Sequence, residues 1–157
     1  MKSLLLSTLR AQFAAKGIDA FRAAHPYAWL LWEPGSWKPP QKRTMVFNAV
    51  GASPKQSGGE ALALALDSGA QMVLGRDPAQ CDLVINDGTL SSKHLVLSRL
   101  GPAWTVADLG SSNGTKLNGV PMNANEARPL LEGARIEAAQ VVLSYWTPEG
   151  LWRRILP

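Results

Sequence analysis

Residues 93–122, KHLVLSRLGPAWTVADLGSSNGTKLNGVPM, decide the fold class of this chain. Short apolar runs are separated by Gly-Pro, by Gly-Ser-Ser-Asn-Gly and by Asn-Gly, and no helix-length run stands between them. Such punctuation is typical of strands joined by short turns. The pattern extends to ALALALDSGAQMVLGR (61–76), CDLVIND (81–87) and RIEAAQVVLSYWT (135–147). We therefore predict a mainly β fold after residue 60, an antiparallel sandwich or barrel.

The loop DLGSSNGTKLNG (108–119) contains two Asn-Gly pairs, and turn formation explains only one of them. Asn118-Gly119 stands between TKL and VPM, as expected of a two-residue hairpin turn in which both residues adopt positive φ. Asn113-Gly114 follows two serines and has no such position between paired strands. The first pair needs another explanation.

The N-terminal part of the chain has a different pattern. Over residues 3–24 the apolar side chains follow helical spacing, with Gly17 as a weak point. The next stretch, YAWLLWEPGSWKPPQKR (27–43), is rich in Trp and Pro and excludes a continuous helix. TMVFNAV (44–50) predicts a strand and GASPKQSGGE (51–60) a flexible connector.

These patterns divide the chain into three segments. We predict an N-terminal extension over residues 1–58, a sandwich domain over 59–148 and a C-terminal tail over 149–157. The helix and the tryptophans of the extension form an apolar surface larger than a monomer usually exposes. The extension must therefore pack on the sandwich, on a second copy of the chain or on another partner. We favour the sandwich, because Pro39-Pro40 and the Gly-rich connector would let the extension fold back.

The net charge of +4 is concentrated in the extension. Residues 1–58 contain eight Lys or Arg and two acids, so they carry +6, whereas the other 99 residues carry −2. Binding of nucleic acid or of an anionic membrane surface would therefore fall to residues 1–58, where Trp29, Trp32 and Trp37 are candidates for stacking on bases. We expect neither as the main activity. No apolar run approaches the ~18 residues of a membrane span, and we expect a cytoplasmic protein.

The chain does not have the motifs of an enzyme. It lacks a phosphate-binding Walker sequence, a dinucleotide-binding glycine pattern, a His-Glu-x-x-His pair and a nucleophile elbow. Ser91 and His94 are three residues apart, so on an extended strand they point to opposite faces and do not form a nucleophilic pair. One cysteine and two histidines predict neither a disulfide nor a metal cluster. We expect no catalysis and no cofactor.

Three loops in order resemble the signature of the forkhead-associated (FHA) domain, a phosphothreonine-binding β-sandwich. They contain Gly75-Arg76, then Ser91-x-x-His94, then Asn113-Gly114. Each motif alone is weak, but the three in this order and spacing are specific. The resemblance covers about residues 60–147 and implies a binding module whose loops hold the ligand at one end of the sandwich.

The resemblance also implies a role for each loop residue. It assigns Arg76 and Ser91 to the phosphate, Ser112 to the phosphate or the wall beside it, and Asn113 to the main chain of the bound peptide. These groups suit a ligand with about −1.5 to −2 charges and three acceptor oxygens. A small pocket for the threonine γ-methyl is implied as well.

Other residues near these motifs have supporting or altered roles. Ser92 occupies a binding position where the family often has Arg, and Lys93 is a candidate to compensate for that missing cation. We expect Gly75, His94, Gly114 and Asn118 to support the site structurally.

The sequence therefore predicts an adaptor that binds phosphothreonine proteins, which would be substrates of a Ser/Thr kinase. The alternative is a structural or assembly protein that uses an FHA-like fold without phosphate. Intact Arg76, Ser91 and Asn113 argue against that alternative. The oligomeric state, the peptide preference and the partner stay open.

Overall fold

A computed structural model describes residues 3–33, 61–67 and 69–155 of the chain. Twelve strands and three helices follow one another in these residues. Their bounds are β1 (Ser3–Leu5), α1 (Leu6–Phe13), α2 (Ile18–Ala24), β2 (Trp29–Glu33), β3 (Leu62–Ala65), β4 (Gln71–Gly75), β5 (Leu83–Val84), β6 (Leu95–Leu100), β7 (Ala103–Asp108), β8 (Thr115–Leu117), β9 (Val120–Pro121), β10 (Arg128–Leu130), β11 (Arg135–Ala138), β12 (Val141–Trp146) and α3 (Pro148–Ile155).

The strands form two sheets. The first has seven strands in the order β1-β3-β2-β12-β11-β8-β9, and the second has five in the order β10-β7-β6-β4-β5. All of the pairs are antiparallel except β4 with β5. Apolar side chains from both sheets form one buried cluster between them. The predicted β-sandwich is therefore confirmed, with one parallel pair at an edge.

The three helices cover the outer face of the seven-stranded sheet and form a helical layer. The run ALALAL shows how one strand serves both faces: its leucines belong to the sandwich core, and its alanines belong to a second cluster shared with the helices. Successive side chains of a strand point to opposite faces. The small alanine side chains let the helices approach the sheet closely.

Two expectations about the extension are confirmed in this layer. Leu9 and Phe21, which are fully buried, pack in the helical cluster against the sheet, so the extension packs on the sandwich. The helical stretch 3–24 is interrupted near Gly17, which has a φ of +89°. Its first three residues form β1 instead of helix, because they pair with β3.

The position of Trp29–Glu33 corrects the expectation that this stretch lies in an appended segment. It forms β2, which lies between β3 and β12 inside the seven-stranded sheet. A boundary at residue 58 therefore separates strands that pair with each other. Trp29 and Trp32 are buried, which removes them as candidates for stacking on bases. Trp37, the strand predicted over 44–50 and the connector 51–60 lie outside the described residues.

The predicted C-terminal tail is also structured. Residues Pro148–Ile155 form α3, and Leu151, Trp152 and Ile155 are buried in the helical layer. The side chain of Arg10 in α1 donates a hydrogen bond to the carbonyl of Ile155. The two ends of the chain therefore build the layer together.

Strand register brings the three motif loops to one end of the sandwich, which we call the loop end. Leu95 at the start of β6 is paired with Leu74 near the end of β4 and with Asp108 at the end of β7. The loops 76–82, 86–94 and 109–114 consequently leave the sheets on the same side. In the other sheet Thr115 pairs with Ala138, so the β11–β12 turn lies there too.

Candidate functional site

The first two motif loops are in direct backbone contact. The N–H of Arg76 donates to the carbonyl of Ser91 (3.0 Å), and the N–H of Asp77 donates to that of Ser92 (3.2 Å). Gly75 permits this approach, because a Cβ at that position would lie 2.3 Å from the Ser92 oxygen. The glycine has the structural role expected of it, since any larger residue would separate the loops.

The second and third loops are joined through the Ser91 hydroxyl. Its Oγ accepts a hydrogen bond from the backbone N–H of Ser112 at 2.9 Å. Ser91 is half-buried and Ser112 is exposed. The hydroxyl that the family resemblance assigns to the phosphate therefore joins the second loop to the third in this structure.

His94 braces the same two loops from below. It is fully buried; its Nδ1 accepts from the N–H of Ser91 (3.1 Å), and its Nε2 lies 2.9 Å from the carbonyl of Gly114. Since Nδ1 is an acceptor, the ring is neutral and Nε2 carries the hydrogen that Gly114 accepts. Burial lowers the pKa of His94, although the Gly114 carbonyl and the charge of Asp108 oppose that shift. The predicted supporting role is consistent with this geometry, and Ser91 and His94 are not arranged as a nucleophile and base.

Asp108 organises the third loop from its buried position at the end of β7. Its Oδ2 accepts from the N–H groups of Gly110 and Ser111, and its Oδ1 accepts from the hydroxyls of Ser111 and Thr115. Burial raises the pKa of the Asp108 carboxyl, but these hydrogen bonds outweigh burial and lower the pKa below its ordinary value. The carboxylate therefore stays ionised and holds the Gly110–Gly114 turn.

The cations at the loop end are unpaired in the part of the chain that the structure describes. Arg76 and Lys93 are exposed, and neither makes an ion pair with a described residue. The nearby carboxylate of Asp77 is engaged by the side chain of Gln80 and the N–H of Ala79, which lower its pKa. A guanidinium, an ammonium and several hydroxyls thus lie on adjoining loops of the loop end, a set of groups suited to binding an anion.

A groove of about 470 Å³ lies next to this cluster. Asn113 and Gly114 line one side of it, and the turn residues Ala139 and Gln140 line another. Asn113 donates from Nδ2 to the carbonyl of Thr89 at 2.8 Å. The amide assigned to a peptide main chain therefore lies between the cation cluster and an open groove.

The structure thus gathers most of the residues that the sequence selected. Arg76, Ser91, Ser92, Lys93, Ser112 and Asn113 lie on adjoining loops of the loop end, with Gly75, His94 and Gly114 beneath them. Asn118 is not among them. It has a φ of +51° in the β8–β9 hairpin, where its N–H and Oδ1 bond to Arg135 at the other end of β8. The Asn118-Gly119 turn is confirmed, but the supporting role of Asn118 at the site is wrong.

Sequence reasoning missed two supporting residues of the second loop. Asp87 is buried, and it accepts hydrogen bonds from both the N–H and the hydroxyl of Thr89. An aspartate that bonds the backbone two residues onward is a common turn signal, so Asp87-Gly88-Thr89 could have indicated this turn.

Within the described ranges no three His, Cys, Asp or Glu are grouped to hold a metal, and no helix has the length and apolarity to cross a membrane.

The fold and the loops define a β-sandwich that presents a cationic, hydroxyl-rich site at one end. Residues 72–138 match the family model described as the FHA domain. This segment of the chain is an FHA domain. A search of curated protein sequences finds no match.

Similar solved structures agree with that fold. The FHA domain of an Arabidopsis thaliana hypothetical protein has a TM-score of 0.56 at 22% identity, covering 78% of this chain and 86% of that one. An FHA domain from Chlamydia trachomatis has a TM-score of 0.52 at 20% identity, covering 76% and 96%. A structure described as an analysis of phosphothreonine-dependent FHA domain interactions has a TM-score of 0.53 at 20% identity, covering 77% and 96%.

Proposed function

We propose that this chain is a phosphothreonine-dependent protein-interaction module that works as a non-enzymatic adaptor. The loop end would bind a phosphothreonine of a partner protein, with Arg76 and Ser91 on the phosphate and Asn113 on the main chain. Ser112 would stand at the wall of the phosphate site. Ser92 and Lys93 would lie beside them, with Lys93 as an auxiliary cation.

One observation carries the proposal: the exposed guanidinium of Arg76 lies on a loop bonded to Ser91 and makes no ion pair within 4.0 Å among the described residues. A dianionic phosphate is bound well by an arginine fork together with hydroxyl and N–H donors. These donors are held by the backbone contacts and by His94, so little ordering is needed on binding.

The family adds independent support. FHA domains are interaction modules, and one similar structure is described by its phosphothreonine-dependent interactions. We infer that the partners are substrates of a Ser/Thr kinase and that they meet this protein in the cytoplasm. The helical layer would then serve stability, since its apolar groups are already covered.

A degenerate phosphothreonine-peptide library, probed with the full chain, tests the proposal. We expect enrichment of a defined set of peptides that lose binding when the phosphate is removed. A matched library with unphosphorylated threonine is the control. Equal capture from both libraries would favour the alternative, a phosphate-independent assembly protein with the same fold.

A further inference from the structure

A chain of hydrogen bonds leads from a buried carboxylate to the exposed amide of Asn113. Asp87 is 3% exposed, and its Oδ1 accepts from the N–H of Thr89 at 2.8 Å and from the Thr89 hydroxyl at 2.5 Å. Its Oδ2 is buried and has no hydrogen-bond partner among the described residues. The two bonds from Thr89 are therefore the hydrogen bonds that this carboxylate accepts among the described residues. They fix both the backbone and the hydroxyl of Thr89.

Thr89 is also hydrogen-bonded to two other loops. Its carbonyl accepts from Asn113 Nδ2 at 2.8 Å, and its Oγ1 accepts from the N–H of Gln140 at 3.3 Å. Because the hydroxyl hydrogen points at Asp87, an oxygen lone pair remains for Gln140. One threonine thus joins the second motif loop, the third motif loop and the β11–β12 turn.

The consequence for Asn113 is a defined orientation of its amide. Nδ2 is committed to Thr89, so Oδ1 is the free end, and it accepts no hydrogen bond from a described residue. Asn113, Thr89 and Gln140 all line the groove of about 470 Å³. A free carbonyl-type acceptor beside a groove matches the N–H of an extended peptide.

From this geometry we propose that Thr89, anchored by Asp87, is a positioning residue that holds the Asn113 amide ready for the peptide main chain. This inference rests on the proposed function and deepens it. The phosphate contacts depend on a separate set of bonds, made by His94 and by the Ser91 hydroxyl. A change at Thr89 should therefore alter the affinity for the peptide residues that flank the phosphothreonine. It should not alter the affinity for inorganic phosphate.

The test compares three variants of the full chain. Thr89→Val removes the hydroxyl at nearly constant volume, Thr89→Ser restores it, and Thr105→Val makes the same chemical change on β7, outside the site. Thermal melting establishes that each variant is folded. The probes are a phosphothreonine peptide recovered from the library, measured by calorimetry, and inorganic phosphate, measured by NMR titration.

Thr89→Val should weaken peptide binding about three- to tenfold, the scale of ordering one side chain on binding, and should change phosphate binding less than about twofold. Thr89→Ser should recover most of the loss, and Thr105→Val should show none. On an Asn113→Ala background, Thr89→Val should add less than about twofold. Fully additive losses, or an equal loss for inorganic phosphate, would overturn the proposal.

A second measurement needs no ligand. The ¹⁵N relaxation of the Asn113 side-chain amide should show an order parameter near that of rigid backbone, about 0.85, falling below about 0.6 in Thr89→Val. An amide that stays rigid in that variant would disprove the positioning role. If the wild-type chain binds no phosphopeptide, the proposed function fails, while the relaxation result still decides whether Thr89 orders Asn113.

Discussion

The helical layer and the loop end of this molecule are held by opposite kinds of contact. In the layer, Phe21 and Trp152 pack with ring centroids 5.6 Å apart, and the buried contacts are apolar, while arginine side chains make ion pairs at its exposed edge. At the loop end, Ser91 and Asp108 connect loops by directional hydrogen bonds while their neighbours stay exposed. Burial of apolar area stabilises the fold, whereas directional donors near water select a ligand. We therefore expect substitutions in the helical layer to change stability and substitutions at the loop end to change binding.

The largest effect is expected when a buried side chain of the helical layer is replaced by alanine. Phe21 is fully buried, so Phe21→Ala should lower the free energy of unfolding by about 3–5 kcal/mol, measured by urea denaturation. The phosphopeptide affinity of the folded fraction should stay within about twofold. Leu131→Ala is the matched control, because Leu131 is 74% exposed and its loss should cost less than about 0.5 kcal/mol. A Phe21→Ala protein that folds normally but loses peptide binding would show that the helical layer also determines binding.

The next effect belongs to the loop end. Arg76→Ala should weaken phosphopeptide binding by about 2–4 kcal/mol, because it removes a charge-assisted contact. Its melting temperature should match the wild type, since the Arg76 side chain has no ion pair among the described residues. Arg99→Ala removes another exposed arginine, on β6, and should leave calorimetric affinity unchanged. Equal affinity for Arg76→Ala and wild type would exclude the assigned site.

His94 belongs to the loop end, but it is fully buried, so its loss should affect stability as well as the loops that it braces. Its folded-state pKa is lowered, so the unfolded chain takes up a proton first as the pH falls below about 6.5. The contribution of the neutral ring is therefore present above that pH and is lost as the pH falls toward the folded-state pKa. His94→Gln should cost about 1–3 kcal/mol at pH 7.5 and progressively less by pH 5.

Urea denaturation of wild type and His94→Gln at several pH values checks this sign. Groups that do not interact with His94 titrate equally in both proteins, so the pH dependence of their difference reports on His94 and on its interaction with Asp108. A difference that is constant, or that grows as the pH falls, would contradict a buried neutral imidazole at this position.

The smallest effect is expected when the phosphothreonine of the peptide is replaced by phosphoserine. The family resemblance implies a pocket for the threonine γ-methyl, and burying one methyl is worth ~0.8 kcal/mol. A phosphothreonine peptide should therefore bind about fourfold more tightly than the same peptide with phosphoserine. Calorimetry with both peptides measures the ratio, and equal affinities would show that this pocket is missing.

The loop chemistry was predictable because it is local. Asn118 and Gly119 supply the positive φ angles, +51° and +84°, that a two-residue turn requires. Such requirements are set by the residue itself and its immediate neighbours. The order of the three motifs then selected the fold. The bonds of Thr89 to Asn113 and Gln140 were not predictable, because these partners lie 24 and 51 residues away in the chain.

What the sequence by itself determined was the sandwich after residue 60 and the residues of the loop end. Only the tertiary structure decided the role of WLLWE, in which Trp29 and Leu31 face the helices while Leu30 and Trp32 face the sandwich core. A strand buried on both faces has no apolar–polar alternation, so its sequence does not distinguish it from other apolar segments. The helical layer that covers its second face comes from both ends of the chain, and no local pattern contains that information.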